Sequence, residues 1–197
     1  MAFLSHDEIA ALGLRSWGES VFISRLASLH NPQAIDIGSN VRIDDFCVLS
    51  AGMGGIAIGS FVHIGVCSSL IGAARITLAD YCNISSRVSI YTSNDDYSGN
   101  YLTNPMVPSA YTNVTIAPVS LGRHTIVGSG SIILPGVTIH EGVAIGALSL
   151  VKTDCDAFTV CGGVPARRLR ERSRRILELE AAHRTQWLMA MKTMTSG

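Results

Sequence analysis

The sequence predicts an all-β solenoid of very short parallel strands, and three observations carry that expectation. Leu121, Val127, Ile133, Ile139, Ile145 and Val151 recur every six residues, a period that fits neither a helix at 3.6 nor a strand at 2. Four positions behind the first five comes a second small or branched residue, Thr125, Ser131, Val137, Val143 and Ser149. Gly122, Gly128 and Gly146 follow their aliphatics directly, and Gly136 marks another bend. The chain is also 47% hydrophobic and only 15% charged, yet no apolar run reaches the roughly 20 residues that span a bilayer, so the apolar content reads as buried strand. Six-residue segments that each end in a bend stack into coils with one continuous core. A sandwich of short strands would instead need alternating segments joined by hairpin turns, and neither is sustained.

The elements follow in order. Residues 1–30 are expected to form a cap segment. Within it Ser5-His6-Asp7-Glu8 reads as a capping box opening a short helix through Ile9, Leu12 and Leu14, which covers the open end of the solenoid. Residues 31–152 are expected to form the solenoid. Ile37, Ile43 and Leu49 hold the spacing, the glycine-rich Ala51–Gly55 shifts its phase, and Ile58, Ile64, Leu70 and Ile76 resume it. A two-residue jump then leads to Leu78, Ile84 and Ile90. From 91 to 118 the repeat disappears into an excursion rich in tyrosine, proline, asparagine and aspartate; a loop of that length in a compact domain is usually functional. Residues 153–197 are expected to form a rim loop and a helix from Arg168 to about Met191, with Leu169, Ile176, Leu177, Leu179, Leu188 and Met191 available for one face. Arg167, Arg168, Arg170, Arg172, Arg174 and Arg175 cluster there, either as a solvated face or as a phosphate clamp at the rim.

Composition narrows the function classes. Net charge is zero, which gives no global argument for nucleic acid or an anionic membrane. The N-terminus lacks the pattern of a signal peptide. Five cysteines without CxxC spacing, of which Cys47, Cys67 and Cys82 read as small core-facing residues, imply free thiols and a cytoplasmic location. No cluster has metal-ligand spacing, and no Walker or dinucleotide fingerprint is present, so neither a catalytic metal nor nucleotide hydrolysis is expected.

The hexads, the excursion after Ile90 and the ending Gly163-Val164-Pro165-Ala166-Arg167 together resemble the hexapeptide-repeat acyltransferases, in particular the maltose, galactoside and capsule- or lipopolysaccharide-sugar acetyltransferase branch. The likeness covers roughly residues 30 to 172, and its strongest motif runs from Val127-Gly128-Ser129-Gly130 to Val137-Thr138-Ile139, followed by Ile145-Gly146-Ala147. It implies a single-stranded left-handed parallel β-helix, a homotrimer with active sites between subunits, and acetyl-CoA as acyl donor. On that resemblance Ser129, Gly130 and Ala147 meet the pantetheine arm, and Arg167 and Arg170 meet CoA phosphate, where charge-assisted hydrogen bonds are strong. Lys152 joins them, although the family's Thr-Lys order is reversed here as Lys152-Thr153.

One departure concerns the chemistry. The branch usually carries a histidine base in the excursion, but here that position holds Asp95, followed by Asp96, and no histidine lies between His63 and His124. Histidine suits removal of a proton from a sugar hydroxyl, whereas an ordinary aspartate near 3.9 is a much weaker base. An amine acceptor relaxes the requirement, because its free base is already nucleophilic. Asp95 and Asp96 therefore point to an aminosugar N-acetyltransferase acting on a free or nucleotide-linked sugar in surface-polysaccharide synthesis; they also fit plain turn residues beside Ser98-Gly99. Asn83 and Ser85 lie near the root of the loop as acceptor-orienting candidates, Tyr97 is a stacking candidate or a packing residue, and His63 is the fallback base. The alternatives are a sugar O-acetyltransferase of the galactoside or maltose type and a non-catalytic β-helix used for assembly.

Overall fold

The computed structural model describes residues 2–195, with side chains described through Trp187. The chain winds as a triangular prism of three parallel sheets. The first face stacks Ser16–Trp17, Ile35–Ile37, Ile56–Ile58, Ile76–Leu78, Val119–Leu121 and Thr138–Ile139. The second stacks Val21–Ile23, Val41–Ile43, His63–Ile64, Asn83–Ile84, Ile126–Val127, Ala144–Ile145 and Thr159–Gly162. The third stacks Ser28–His30, Val48–Ala51, Ser69–Gly72, Ser89–Tyr91, Ile132–Ile133 and Leu150–Val151. Each hexad is one strand and one corner, and three hexads make one coil.

The period-six aliphatics form the inner ladders. Ile43, Ile64, Ile84, Val127 and Ile145 lie over one another in register, as do Leu49, Leu70, Ile90, Ile133 and Val151, and all are buried. The second, smaller residue of each hexad turns inward at a corner. Where it is polar it is satisfied: Ser68 Oγ donates to the Ser85 carbonyl at 2.9 Å, and Ser131 Oγ to the Gly146 carbonyl at 3.0 Å. Two corners run through left-handed backbone, at Asn40, Phe61, Tyr81 and His124 on one and Phe46, Cys67, Arg87 and Gly130 on the other. Such a conformation costs a non-glycine residue roughly 1–2 kcal/mol, which the coil-to-coil hydrogen bonds on either side offset.

The ends of the prism differ from expectation in four respects. The solenoid begins at residue 16 rather than 31, because Ser16–Trp17, Val21–Ile23 and Ser28–His30 already form a full coil in which Trp17, Ile23 and Leu29 keep the six-residue spacing. The N-terminal helix, α1 (His6–Ala11), has both bonds of its capping box but ends before Leu12 and Leu14; Ile9 and a bridge from Phe3 to Ser24 seat it on the first coil. Cys67 sits exposed at a corner rather than in the core; Cys47 and Cys82 are buried, and burial pushes their thiols up to about 11 and about 12. The helix expected from Arg168 begins only at Arg175: Arg167–Glu171 is instead a strand paired antiparallel to Thr159–Gly162, which closes the exposed edge of the second face. The Leu188 and Met191 side chains lie outside the described residues.

The C-terminal helix, α2 (Arg175–Thr195), lies along the first-to-second corner. There Phe61, Tyr81 and His124 stack ring on ring at 4.9 and 5.0 Å, and His183 and Trp187 meet Phe61 edge-on. Glu180 is the buried keystone, taking His124 Nε2 at 2.7 Å and Arg184 Nε at 2.6 Å, and pairing with Arg123. The basic cluster is thereby divided. Arg172 donates to the carbonyls of His124, Gly142 and Val143 at 2.8–3.1 Å, and Arg174 covers the Phe158 ring. Among the described residues no helix is long and apolar enough to cross a membrane.

Candidate active site

The residue that follows the inner aliphatic of each second-face strand stacks into a column along the second-to-third corner. From one end it reads Ser24, Asp44, Gly65, Ser85, Gly128, Gly146 and Gly162, each donating its amide to the aliphatic carbonyl of the next coil where a further coil exists. Three glycines thus pave the surface above Ser85. Leu169 lies over Gly162, 3.3 Å from where a Cβ would stand, so at steps of about 4.8 Å the bare strip from Ser85 to Gly146 is about 10 Å long. A Cβ at Gly128 would come within 2.5 Å of the Ala147 nitrogen, so coil stacking itself requires glycine there. A Cβ at Gly146 would find its nearest neighbour at 3.6 Å, an ordinary contact. Packing does not force glycine at that position.

The cofactor candidates gather around this strip. Ser129 and Gly130 leave it at the corner one coil below Ala147, with the Ser129 carbonyl accepting the Leu148 amide at 2.9 Å and the Gly130 amide donating to Ser86 at 3.0 Å. Gly130 takes a φ of +73°, which suits a residue without a Cβ. At the far end Arg167 pairs in register with Gly162, and Arg170 with Val160. Lys152 is exposed just past the last third-face strand. The two arginines are therefore one strand beyond the glycine strip.

At the other end lie the acceptor candidates. Asn83 is the outward residue two positions before Ser85 on the same coil. Below it His63 is held from both sides: Nε2 lies 2.9 Å from Asp44 Oδ2, and Nδ1 lies 3.2 Å from Asn83 Oδ1. The Asp44 carboxyl is 7% exposed and also accepts Arg42 Nε at 2.7 Å. Burial pushes it up, but the hydrogen bonds and charges of Arg42 and His63 outweigh that, leaving it below the usual carboxylate range. His63 had been legible only as a corner residue and fallback base; it is a strand residue with fixed orientation. Asp44, Gly65 and Gly162 were missed, yet reading one column across the coils exposes all three.

Asp95 and Asp96 stand elsewhere. The excursion leaves the third face after Tyr91, and its neck is a two-stranded antiparallel pair, Ser93–Asn94 with Thr115–Ile116. Buried Thr92 roots it, exchanging hydrogen bonds with the Ala74 backbone at 3.1 Å. Between the excursion and the third face opens a cleft of about 730 Å³, lined by Ser50, Ile71, Asn94, Asp95, Asn104 and Val114. Asp96 Oδ1 instead takes the Ser98 amide at 2.9 Å and the Ser98 hydroxyl at 2.7 Å, and the hydroxyl bond holds its carboxyl below the usual range. Tyr97 is almost fully exposed. Within one chain, Asp95 is separated from Ser85 by the width of the third face. No group of histidine, cysteine, aspartate or glutamate among the described residues is arranged to hold a metal.

Comparisons with known proteins bear on this arrangement. No protein-family model matches the chain. A dTDP-4-amino-4,6-dideoxy-D-glucose acyltransferase from Escherichia coli is 57% identical over 92% of this chain and 94% of its own. AntD, an N-acyltransferase from Bacillus cereus, has been solved with dTDP and coenzyme A in a variant with one aspartate replaced; it is 44% identical, with a TM-score of 0.91 over 94% of this chain and 100% of that one. A variant of AntD with one serine replaced, solved with dTDP-4-amino-4,6-dideoxyglucose and coenzyme A, is 45% identical with a TM-score of 0.90 over 93% and 97%.

Proposed function

The chain belongs to the hexapeptide-repeat sugar acyltransferases, and from that membership we propose that it moves an acetyl group from acetyl-CoA to the amine of a dTDP-linked 4-amino-4,6-dideoxy sugar. The observation that carries the reading is the glycine strip ending at Ser85, with arginines at one end and polar Asn83 and His63 at the other. Relatives that bind or act on such a sugar support the acceptor.

In this scheme backbone at Ser129, Gly130 and Ala147 lines the thiol arm, while Lys152, Arg167 and Arg170 take the phosphates. Asn83 and Ser85 orient the amine beside the thioester. The nitrogen lone pair attacks the thioester carbon, the C–N bond forms, the C–S bond breaks, and thiolate leaves. The nitrogen gives up one proton and coenzyme A takes one, so the step balances. Asp95, rather than Asp96, is our choice for the carboxylate that receives the ammonium, because Asp96 is engaged in its own turn. We take Ser85 and Asp95 as the counterparts of the serine and the aspartate replaced in AntD.

A homotrimer completes the site. Ser85 and Asp95 lie on opposite borders of the third face, so one subunit's excursion serves its neighbour's glycine strip. Exposed Phe46, Ile132 and Leu148 beside the strip fit a surface that a second subunit covers. A cytoplasmic enzyme of surface-glycan synthesis is consistent with a nucleotide-sugar acceptor.

Thiol release from acetyl-CoA, measured with dTDP-4-amino-4,6-dideoxyglucose and with its 4-hydroxy analogue, tests the proposal. Release confined to the amine is the expected result. Release with the hydroxy sugar alone would establish the O-acetyltransferase alternative, and release with neither would remove this substrate class.

A further inference from the structure

His63 is gripped across three coils, by Asp44, which the reaction scheme above does not use, and by Asn83, which that scheme places at the acceptor. Asp44 accepts hydrogen bonds only, so His63 Nε2 must carry a proton to reach it at 2.9 Å. Gly65, two residues on from His63, stacks over Asp44 in the column, and a Cβ there would come within 2.9 Å of the Ser86 nitrogen of the coil above. The other ring nitrogen faces Asn83 Oδ1 at 3.2 Å, so the structure shows the amide with its oxygen turned inward. Which end of that amide turns toward the ring is set by the network, not by its shape. With a neutral ring Nδ1 is an acceptor, so the Asn83 NH₂ turns inward and its carbonyl oxygen faces out. With a doubly protonated ring the carbonyl is drawn inward and the NH₂ faces out.

Asn83 is two residues from Ser85, at the end of the glycine strip, so the outward end of its amide meets the acceptor. An attacking amine presents N–H groups, which a carbonyl oxygen orients and an NH₂ opposes. We infer that Asp44, His63 and Asn83 form a positioning relay in which Asp44 fixes the ring, and the ring's protonation selects the end of the Asn83 amide offered to the acceptor amine. This rests on the aminosugar reading above. Among the described residues, the charged groups facing His63 are Asp44 and Arg42 from the coil below, and its hydrogen bond to the coil above is with the uncharged Asn83 amide. Protonation of the ring therefore sets the amide end with no competing charge on its upper side.

Two measurements test the relay, one of them independent of substrate. Nitrogen-15 NMR of the His63 ring and the Asn83 side-chain amide is compared between the wild type and Asp44→Asn. A shift of the Asn83 amide signals, two coils from the substitution, is the expected result; an unmoved Asn83 amide overturns the relay. Kinetics then read the role. Asp44→Asn, His63→Gln and Asn83→Ala are expected to lose about tenfold or more in kcat/KM for the aminosugar, with KM for acetyl-CoA unchanged. The ratio of wild-type to His63→Gln activity should fall on acidification, since the acceptor's own protonation cancels in that ratio. A kcat/KM within twofold of wild type for Asp44→Asn, or a ratio constant with pH, overturns the role. A wild type inert toward nucleotide aminosugars with the NMR coupling intact overturns the substrate reading and leaves the coupling itself established. Circular dichroism and the thermal shift with acetyl-CoA show whether each variant is folded, and Asn83→Asp, which keeps the outward oxygen, should restore part of the activity lost in Asn83→Ala.

Discussion

At the scale of single residues, Gly128 and Gly146 separate folding from binding. Gly128→Ala places a methyl 2.5 Å from the next coil's backbone nitrogen, and overpacking of that kind typically costs 1–3 kcal/mol, or roughly 2–10 °C in melting temperature for a chain of this size. Gly146→Ala should melt within a degree or two of wild type yet bind acetyl-CoA about tenfold more weakly, as isothermal titration would show. The two aspartates separate in the same way. Asp95→Asn is expected to lower kcat by about 10²-fold or more, the scale of a lost acid–base group, whereas Asp96→Asn should stay within a few-fold. Full activity in Asp95→Asn would remove that residue from the scheme. The sequence showed both glycines and both aspartates but could not rank either pair. What distinguishes Asp96 is its bond to Ser98, and what distinguishes Gly146 is its distance from the next coil.

At the scale of elements, the C-terminal helix is held to the prism by charge and aromatic stacking. Burial raises the Glu180 carboxyl, but His124, Arg123 and Arg184 more than offset it, leaving it below its ordinary 4.5. A carboxyl depressed on folding contributes stability that is fully present above its unfolded value and is lost as pH falls through the folded one. The helix should therefore loosen only below about pH 4.5, seen as a change in Trp187 emission against the Trp17 background, and Glu180→Gln should abolish that transition. Emission from Glu180→Gln that follows the wild-type curve would place the acid sensitivity elsewhere. This element shows where pattern reading erred. Arg168, Leu169 and Arg170 have helix-forming composition, but the unpaired edge at Thr159–Gly162 recruits them as a strand, and a local pattern carries no record of an open edge. Leu169 closes over Gly162 as a result.

At the scale of the whole molecule, the solenoid stacks three parallel faces around one continuous core. Acetyl-CoA at 100 times its dissociation constant should stabilise the protein by about 2.7 kcal/mol, and absence of any thermal shift at saturation would favour an assembly role over catalysis. Sedimentation should show a trimer, and mixing Asp95→Asn subunits with Ser85→Ala subunits should restore part of the activity if the two residues meet across an interface. The hexad made the prism legible in advance, because each apolar residue at period six has only one inward direction to take. The same column logic held Ser129, Gly130 and Ala147 at one corner. Sequence alone thus determined the coil, its core and the place of the excursion. Tertiary structure decided which residues of successive coils share a column, placing Asp44 and Gly65 below Ser85 and Gly162 above it, and setting Glu180 under His124. Such neighbours lie some 20 to 80 residues apart, and the extra residues of each corner, which follow no period, set the register that brings them together.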